Sequence, residues 1–331
     1  MACILWKSLT VSEFRRAGTA ENRNSILAVF DSSMKLTGKT IIVTGGSSGI
    51  GKECVREFVK RGARVIIASR DLEKSKRAEE EIKNDLKISQ TTHMGDIVIK
   101  KLDLSSLDSV KNFAYQFNEE ETRLDILVNN AGIYKPDCWR SHTRDNLEIV
   151  TVTNYLGHFL LTNLLLDKLK LSAPSRVVNL SSLAHYSINS MDYDDFNLNQ
   201  SCFMPSDFYL YARSKAAMVM FSTEFDRRYR EYGITSYSCN PGIADTELGR
   251  NINPLTDFCL YCLSNCAYFK QKLKTPQQAA QTPIFCSLEQ GLETKSGYYF
   301  SECENRIASR YCRREDNMKR LWEVSKEALG I

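Results

Sequence analysis

Tyr211 and Lys215 stand four residues apart in a segment, residues 209–228, whose apolar positions repeat with the period of a helix. Side chains four residues apart share one face of a helix, so a phenol and an ammonium are expected side by side. A neighbouring cation stabilises a phenolate and lowers a tyrosine pKa that is ordinarily ~10. Such a pair can give or take the proton that accompanies hydride transfer to a carbonyl. The same spacing also occurs where two side chains simply lie along a helix surface.

Two other polar residues are candidates for the same chemistry. Ser182 follows the strand-like run 176–180, where a hydroxyl can hold a substrate carbonyl and stabilise developing charge, or can simply cap a turn. Asn154 lies in a long apolar helical run, and a buried amide needs hydrogen-bond partners. It predicts either a proton relay, with a water between Lys215 and solvent, or a local irregularity of the helix. The candidate catalytic residues are therefore Asn154, Ser182, Tyr211 and Lys215, with Ser182 also contacting substrate.

A glycine-rich turn follows the apolar run 41–43 and precedes a helical pattern. In the segment T-G-G-S-S-G-I-G, Gly45 can adopt the turn conformation, Gly49 lets backbone N–H groups approach a pyrophosphate, and Gly51 allows close helix–strand packing. A tight turn alone would also explain three glycines. The residues of this turn expected to contact a dinucleotide are Gly45, Ser47, Ser48, Gly49, Ile50 and Gly51.

The end of the second strand decides between NAD and NADP, because an acid there holds the ribose 2′-hydroxyl. This chain has Ser69 and Arg70 at that place. A guanidinium can form a bidentate pair with a 2′-phosphate, which favours NADP(H). Arg70 could instead pair on the surface with Asp71 or Glu73. The preference for NADP(H) survives if the Asp71 carboxylate caps the next helix and points away from the ribose.

Three further strand ends carry residues that fit a bound dinucleotide. An aspartate after the third strand could meet the adenine or cap a helix. The N-N-A-G segment after the fourth strand offers small residues to the nicotinamide ribose, although paired asparagines are often turn residues. A Pro-Gly pair after the sixth strand is followed by a threonine that could reach a phosphate or the carboxamide. The expected contacts are Asp103, Asn130, Ala131, Gly132, Pro241, Gly242 and Thr246, together with Tyr211 and Lys215.

Strand-like runs alternate with helical patterns along the chain. The predicted strands are 41–43, 64–68, 97–102, 126–129, 176–180, 235–238 and 297–300, and the first helices are 52–61 and 71–86. This alternation is typical of an α/β fold with one doubly wound parallel sheet of about seven strands and helices on both faces. No repeat, linker or shift in composition marks a second domain.

The composition limits the classes of function. A chain of 331 residues with 43% hydrophobic and 25% charged residues can bury a full core. A formal charge of +4 is too mild to predict nucleic-acid binding. Eleven cysteines without a regular framework, and without a secretory signal, indicate free thiols in an intracellular, reducing compartment.

Two regions bear on contact with membranes. Residues 1–35 hold two short apolar patches, neither long enough to span a bilayer, and are predicted to form an N-terminal extension or a surface helix. Residues 253–270 are densely apolar and are predicted to lie in a substrate-covering lid, about 243–275, that could rest on a bilayer. The protein is thus expected in the cytoplasm or at a membrane surface.

No metal site is predicted. Cys259, Cys262 and Cys266 would share one helix face, but they lack a clear fourth ligand, so packing is favoured over zinc. His185 follows Ser182 by three residues without an evident acid partner. We interpret this histidine as structural or as part of a pocket wall.

Taken together and in this order, the glycine turn, N-N-A-G, Asn154, Ser182, Tyr211 with Lys215, and Pro241-Gly242 resemble the short-chain dehydrogenase/reductase family. The amino-acid sequence resembles the retinol dehydrogenase branch in four further segments, residues 154–163, 177–185, 274–282 and 321–325. The resemblance covers about residues 36–331, which would be one domain. Members of the branch usually begin with an apolar membrane anchor that this sequence lacks, and commonly carry Asn-Thr at the positions of Ser47 and Ser48.

The resemblance implies a Rossmann-type sheet of seven strands, NADP(H), and interconversion of retinal and retinol. It implies that Tyr211 donates or accepts the proton, that Lys215 holds the ribose and lowers the tyrosine pKa, that Ser182 orients the carbonyl, and that Asn154 takes part in a relay. Steroid or other isoprenoid carbonyls are alternative substrates, and a non-catalytic NADP(H) sensor is an alternative function. A homodimer through the helices around Asn154 and Tyr211 is also compatible with the family.

Overall fold

The computed structural model describes residues 30, 33–91, 93–134, 141–196, 207–244 and 273–331. Eight strands form one sheet in the order β3-β2-β1-β4-β5-β6-β7-β8. They are β1 Thr40–Thr44, β2 Arg64–Ser69, β3 Asp96–Lys101, β4 Ile126–Asn129, β5 Ser175–Leu180, β6 Ile234–Asn240, β7 Tyr299–Ser301 and β8 Glu304–Arg306. The first seven are parallel, and β8 runs antiparallel to β7.

The helices alternate with the strands. They are α1 Gly49–Lys60, α2 Leu72–Ile88, α3 Leu107–Glu120, α5 Leu166–Leu171, α6 Asp207–Tyr229, α7 Pro276–Leu288 and α8 Glu315–Leu329. Between α3 and α5 lies α4, which begins with Ile149–Thr151, widens into a π-helical turn at Val152–Leu156 and continues as Gly157–Leu164. Short 3₁₀ turns occupy Leu183–Ser187, Arg230–Tyr232 and Leu292–Lys295.

The predicted doubly wound sheet is confirmed, with one strand more than the seven expected. The extra strand, β8, follows a tight turn in which Glu302 and Cys303 have positive φ. Its three residues, Glu-Asn-Arg, are all polar, so no hydrophobic pattern marks it in the sequence.

The sheet separates two apolar layers. One is built with α1, α2 and α7, and the other with α3, α4, α6 and α8. Strand β1 pairs with β2 on one side and β4 on the other, so the order of the strands reverses there. In such sheets the crevice beyond the carboxyl ends at the reversal is where ligands bind. The glycine turn, Arg70 and the N-N-A-G segment follow the carboxyl ends of β1, β2 and β4.

The C-terminal helix α8 covers the outer side of α4 and α6. Trp322 packs on Phe159 with ring centroids 4.8 Å apart and lies 6.0 Å from Phe221. The Tyr155 hydroxyl is 2.7 Å from the Ser325 hydroxyl. These contacts hold α8 against α4 and α6.

The N-terminal side of the described chain meets α7. Phe30, within the segment predicted as an extension, packs edge-on against Phe285 at 5.3 Å, and its backbone N–H donates to Gln281 Oε1 at 2.9 Å. No helix among the described residues has the length and apolar character to cross a bilayer.

Most of the predicted lid, with Thr246 and the three cysteines at 259, 262 and 266, lies outside the described residues. Its two flanks are in contact, because Ala244 forms a single parallel bridge with Lys274. The Lys274 ammonium pairs with Glu302 at 2.6 Å. The flanks of the lid segment thus join the sheet beside Gly242.

Candidate active site

The glycine turn has the geometry of a phosphate cradle. Gly45 has a φ of +65°, which glycine adopts without strain. A Cβ on Gly51 would lie 2.5 Å from the Gly45 carbonyl oxygen and from Asn130 Nδ2, so no larger residue fits between turn and helix. Ser48 is the N-cap of α1, but its side chain accepts no capping hydrogen bond. The N–H groups of the first turn, at Gly49 and Ile50, remain available to a phosphate.

The end of β2 leaves Arg70 available to an anion. Asp71 caps α2 by accepting a hydrogen bond from the Lys74 N–H at 2.9 Å, as predicted. Glu73 pairs with Lys76. Arg70 is exposed, and within the described part of the chain its side chain forms neither a hydrogen bond nor an ion pair. The hydroxyl of Ser69, the residue before Arg70, lies 3.2 Å from the hydroxyl of Ser47. Neither Asp71 nor Glu73 pairs with Arg70 in this structure, and the contact of Arg70 with a 2′-phosphate stays a prediction.

The segment after β4 is tied to the end of β1 by Thr44. The Thr44 hydroxyl accepts hydrogen bonds from the N–H groups of Asn130 and Ala131, at 2.9 and 3.0 Å. The Asn130 amide donates to the Thr44 carbonyl at 2.7 Å. A Cβ on Gly132 would lie 3.3 Å from Lys215 Nζ and 3.4 Å from Asn154 Oδ1. This segment therefore joins the glycine turn to the catalytic candidates.

Asp103 stabilises the turn before α3 without capping that helix. Its Oδ1 accepts from the Ser105 N–H at 3.0 Å and the Ser105 hydroxyl at 2.6 Å, whereas Ser106 is the cap. The helix-cap alternative for Asp103 is thus wrong, and the contact with adenine stays a prediction. Gly242, with φ of +89°, donates its N–H to Asn240 Oδ1 at 3.2 Å and follows Pro241 at the end of β6.

The three catalytic candidates other than Asn154 meet at the carboxyl end of β5. The Ser182 side chain lies beside the Tyr211 hydroxyl and interacts with it. Lys215 Nζ donates to the Leu180 carbonyl at 3.1 Å and lies 5.6 Å from the centre of the Tyr211 ring. The Ser181 hydroxyl donates to the Lys215 carbonyl at 2.7 Å, which fixes α6 to this strand end.

The charge states of the pair differ from the expectation. Burial raises the pKa of Tyr211, and the hydrogen bond with Ser182 only partly offsets this. The predicted lowering of that pKa by Lys215 is therefore wrong in this structure, because the ammonium is directed at the Leu180 carbonyl. Tyr211 is a neutral phenol near neutral pH. Such a group is suited to donate a proton.

Burial makes the charged form of Lys215 unfavourable. Burial lowers its pKa from 10.5 to about 8. The unfolded chain then holds more protons than the folded one between these two values, so this group makes stability rise with pH in that window. Each pKa unit corresponds to about 1.4 kcal/mol, so the free-energy cost of keeping Lys215 charged is roughly 3 kcal/mol.

We expect Lys215→Met to be more stable relative to the wild-type protein at about pH 7 than at about pH 10, by roughly 3 kcal/mol. Urea denaturation of both proteins at both pH values measures this difference. Lys60→Met, at the exposed end of α1, is the control and should show no such dependence. A difference in stability that is independent of pH would show that Lys215 carries no burial cost.

Asn154 lies in the π-helical turn, with its amide bonded to protein. Its Oδ1 accepts from the Ile133 N–H at 2.7 Å, and its Nδ2 donates to the Ile133 carbonyl and to the Ser214 hydroxyl, both at 3.0 Å. Both amide hydrogens are used, so a relay water would have to bind an oxygen of this residue. The helix is irregular at Asn154, but the amide bonds to Ile133 and Ser214 and not to groups of the widened turn, and the relay stays a prediction.

Two histidines near the site are structural in different ways. His185 bonds through Nδ1 to the Ser182 carbonyl at 2.7 Å and through Nε2 to the Ser309 N–H at 3.2 Å, which confirms the structural interpretation. His158 was missed by the sequence reasoning, as was Thr44, to which it is bonded at 2.9 Å. The signal was present, because His158 is a polar residue in the same apolar run as Asn154.

Within the described ranges no cluster of His, Cys, Asp or Glu could hold a metal.

The comparisons with known proteins point to one family. The model of the short chain dehydrogenase family matches residues 39–191. Human retinol dehydrogenase 12 is 43% identical over 299 residues, which cover 90% of this chain and 89% of that protein. Human retinol dehydrogenase 11 is 42% identical over 92% of this chain and 89% of its own length.

Solved structures agree on the fold. An uncharacterized protein from Mycobacterium paratuberculosis superposes with a TM-score of 0.69 and 25% identity, covering 92% of this chain and 98% of its own. The RhlG/NADP complex from Pseudomonas aeruginosa gives 0.61 and 26% identity, covering 81% and 95%. The chain therefore belongs to the short-chain dehydrogenase/reductase family, in its retinol dehydrogenase branch, and is an oxidoreductase of CH–OH groups that uses a nicotinamide cofactor.

Proposed function

We propose that this protein uses NADP(H) to interconvert an apolar aldehyde or ketone and its alcohol, with retinal and retinol as the preferred pair. The observation that carries the proposal is the convergence of Ser182, Tyr211 and Lys215 at the carboxyl end of β5, next to Gly132. The curated relatives named above are retinol dehydrogenases.

The side chains divide the work of carbonyl reduction among themselves. The cofactor, when bound, supplies the hydride. The Ser182 hydroxyl donates a hydrogen bond to the substrate oxygen, and the Tyr211 phenol gives that oxygen a proton as negative charge develops. Lys215 would hold the nicotinamide ribose, and Gly132 leaves space beside its ammonium. The raised pKa of Tyr211 keeps its phenol protonated near neutral pH, which is the form that can donate a proton to a carbonyl oxygen.

The choice of NADP(H) depends on Arg70. Its guanidinium is exposed and unpaired within the described residues, the neighbouring Asp71 carboxylate is committed to capping α2, and two serine hydroxyls lie beside it. This arrangement offers a cation and hydroxyl donors to a 2′-phosphate. The structurally similar RhlG was solved with NADP.

We expect Arg70→Asp to lower the ratio of kcat/KM for NADPH over NADH by about 10²-fold, because a charge-assisted pair is replaced by repulsion. Steady-state kinetics with both cofactors measures the ratio. Arg77→Asp makes the same charge change at an exposed position further along α2 and should leave the ratio within about 3-fold. An unchanged ratio in Arg70→Asp would show that the phosphate is held elsewhere.

The substrate is tested by following NADPH oxidation with a panel of carbonyl compounds. All-trans-retinal should give the highest kcat/KM, other isoprenoid aldehydes and steroid ketones lower values, and short polar aldehydes the lowest. Turnover that is faster with the polar aldehydes would overturn the substrate assignment. Binding of NADPH without turnover of any carbonyl would overturn the catalytic assignment and leave a sensor.

We expect no nucleic-acid partner, and a peripheral contact with membranes as the route for an apolar substrate. A homodimer is also proposed, since the family resemblance is compatible with one. Light scattering of the purified chain tests the assembly, and flotation with phospholipid vesicles tests the membrane contact.

A further inference from the structure

His158 lies in α4 between the glycine turn and the residues proposed for proton transfer. The side chain is fully buried. Its Nε2 lies 2.9 Å from the Thr44 hydroxyl, at the end of β1, and its Nδ1 lies 3.1 Å from the Asn154 carbonyl, in the π-helical turn. One ring therefore contacts a residue of the glycine turn and a candidate for proton transfer.

The two contacts fix which nitrogen carries the proton. A carbonyl oxygen only accepts, so Nδ1–H donates to Asn154 and Nε2 accepts from the Thr44 hydroxyl. Burial, with a smaller contribution from the nearby Lys215 charge, lowers the pKa of His158 to about 3. The ring is therefore neutral in the working range of pH, and its two roles do not interchange.

Thr44 connects His158 to the segment after β4, which lies beside the glycine turn. Its hydroxyl accepts the N–H groups of Asn130 and Ala131, so its own hydrogen remains for His158. The Val128 carbonyl is a second acceptor at the longer distance of 3.3 Å. A hydroxyl that receives two backbone donors and gives one hydrogen has its position well defined.

Asn154 connects His158 to the helix that carries Tyr211. Its amide holds Ile133 and Ser214, and Ser214 in turn donates to the Tyr211 carbonyl at 2.7 Å. The main-chain carbonyl of Asn154 lies in the widened turn, and the His158 ring supplies it with a donor. Because the ring holds this carbonyl, it helps to keep the turn in the form that aims the amide.

We propose that His158 is a positioning residue that sets the dinucleotide-binding turn and the proton-transfer residues in register with each other. This inference rests on the proposed function and names a residue that acts through Thr44 and Asn154. The arrangement predicts that its two links can be broken separately, with different kinetic results.

Two substitutions separate the links. The amide of His158→Asn reaches about as far as Nδ1 and can still donate to Asn154, but it falls short of Thr44. The longer amide of His158→Gln reaches about as far as Nε2 and can accept from Thr44, while the link to Asn154 is lost. We expect His158→Asn to raise the Kd and KM for NADPH about 10-fold with kcat nearly unchanged, since a hydrogen bond to a buried partner is worth about 1–3 kcal/mol.

For His158→Gln the opposite split is expected, with kcat about 10-fold lower and the Kd for NADPH nearly unchanged. Tyr155→Phe is the matched control. Tyr155 follows Asn154 in α4, and the substitution removes its buried hydrogen bond with Ser325. It should lower the Tm without changing kcat or the Kd.

Fluorescence titration gives the Kd for NADPH, and it is measured on each variant alongside its Tm. The proposal would be overturned if the Tm of both variants fell while kcat and the Kd for NADPH stayed at their wild-type values. It would also be overturned if kcat and NADPH affinity fell equally in both variants. A wild-type protein that binds NADPH without turnover would contradict the proposed function. In that case a normal Kd in His158→Asn would still overturn the link through Thr44.

Discussion

Replacing Tyr211 by phenylalanine is expected to lower kcat for aldehyde reduction by about 10²–10⁴-fold, the range that a positioned general acid supplies. The change removes the hydroxyl that is bonded to Ser182 and retains the ring, which packs edge-on against Tyr134 at 5.7 Å. The cofactor-binding turn is untouched. The Kd for NADPH should therefore stay within about 3-fold of the wild-type value, because no charged contact is lost. Steady-state kinetics and fluorescence titration measure the two quantities.

Tyr193→Phe is the control for this experiment. The Tyr193 hydroxyl is also hydrogen-bonded, but its partners are the Tyr311 hydroxyl at 3.0 Å and the Asn317 carbonyl at 3.3 Å. Loss of this hydroxyl should leave kcat nearly unchanged. If Tyr211→Phe keeps wild-type kcat, the proton comes from another group and the mechanism is wrong.

The second large effect concerns stability. Trp322→Ala is expected to lower the free energy of unfolding by about 3–5 kcal/mol, the usual cost of removing a large aromatic from a core. The indole is 3% exposed, packs on Phe159 and Phe221, and has the Arg228 guanidinium 4.4 Å from its ring centre. Its removal would leave a cavity between α8, α4 and α6.

Urea denaturation of Trp322→Ala and of Glu327→Ala tests this packing. Glu327 is exposed on the same helix, and its replacement should change stability by no more than about 0.5 kcal/mol. A loss below about 1 kcal/mol in Trp322→Ala would contradict the burial of α8 against α4 and α6.

The order of strands and helices was predictable because the first five strands are short runs rich in apolar residues, and helical patterns separate them. Strand β4, Ile126–Asn129, has the predicted bounds, and Asp71 caps α2 as expected. Strand β8 escaped prediction because its side chains are polar and partly exposed, and only its pairing with β7 makes it a strand.

Within the site, the types of residue were predictable and their electrostatics were not. Spacing along a helix brings Tyr211 and Lys215 to one face, but burial raises the tyrosine pKa and lowers that of the lysine, and no local pattern reports burial. The role of Thr44 and His158 depends on contacts between β1 and α4, which are more than a hundred residues apart in sequence. Such contacts exist only after the sheet has formed.

The fate of the hydride distinguishes reduction of retinal from mere binding of NADPH. The full chain is incubated with all-trans-retinal and NADPH that carries deuterium at the transferable position, and the retinoid is analysed by mass spectrometry. With the wild-type protein we expect retinol that has gained a single deuterium, and with Tyr211→Phe we expect almost no deuterated retinol. Protein that binds NADPH yet yields no deuterated alcohol from retinal or from any other apolar aldehyde would contradict the proposed function.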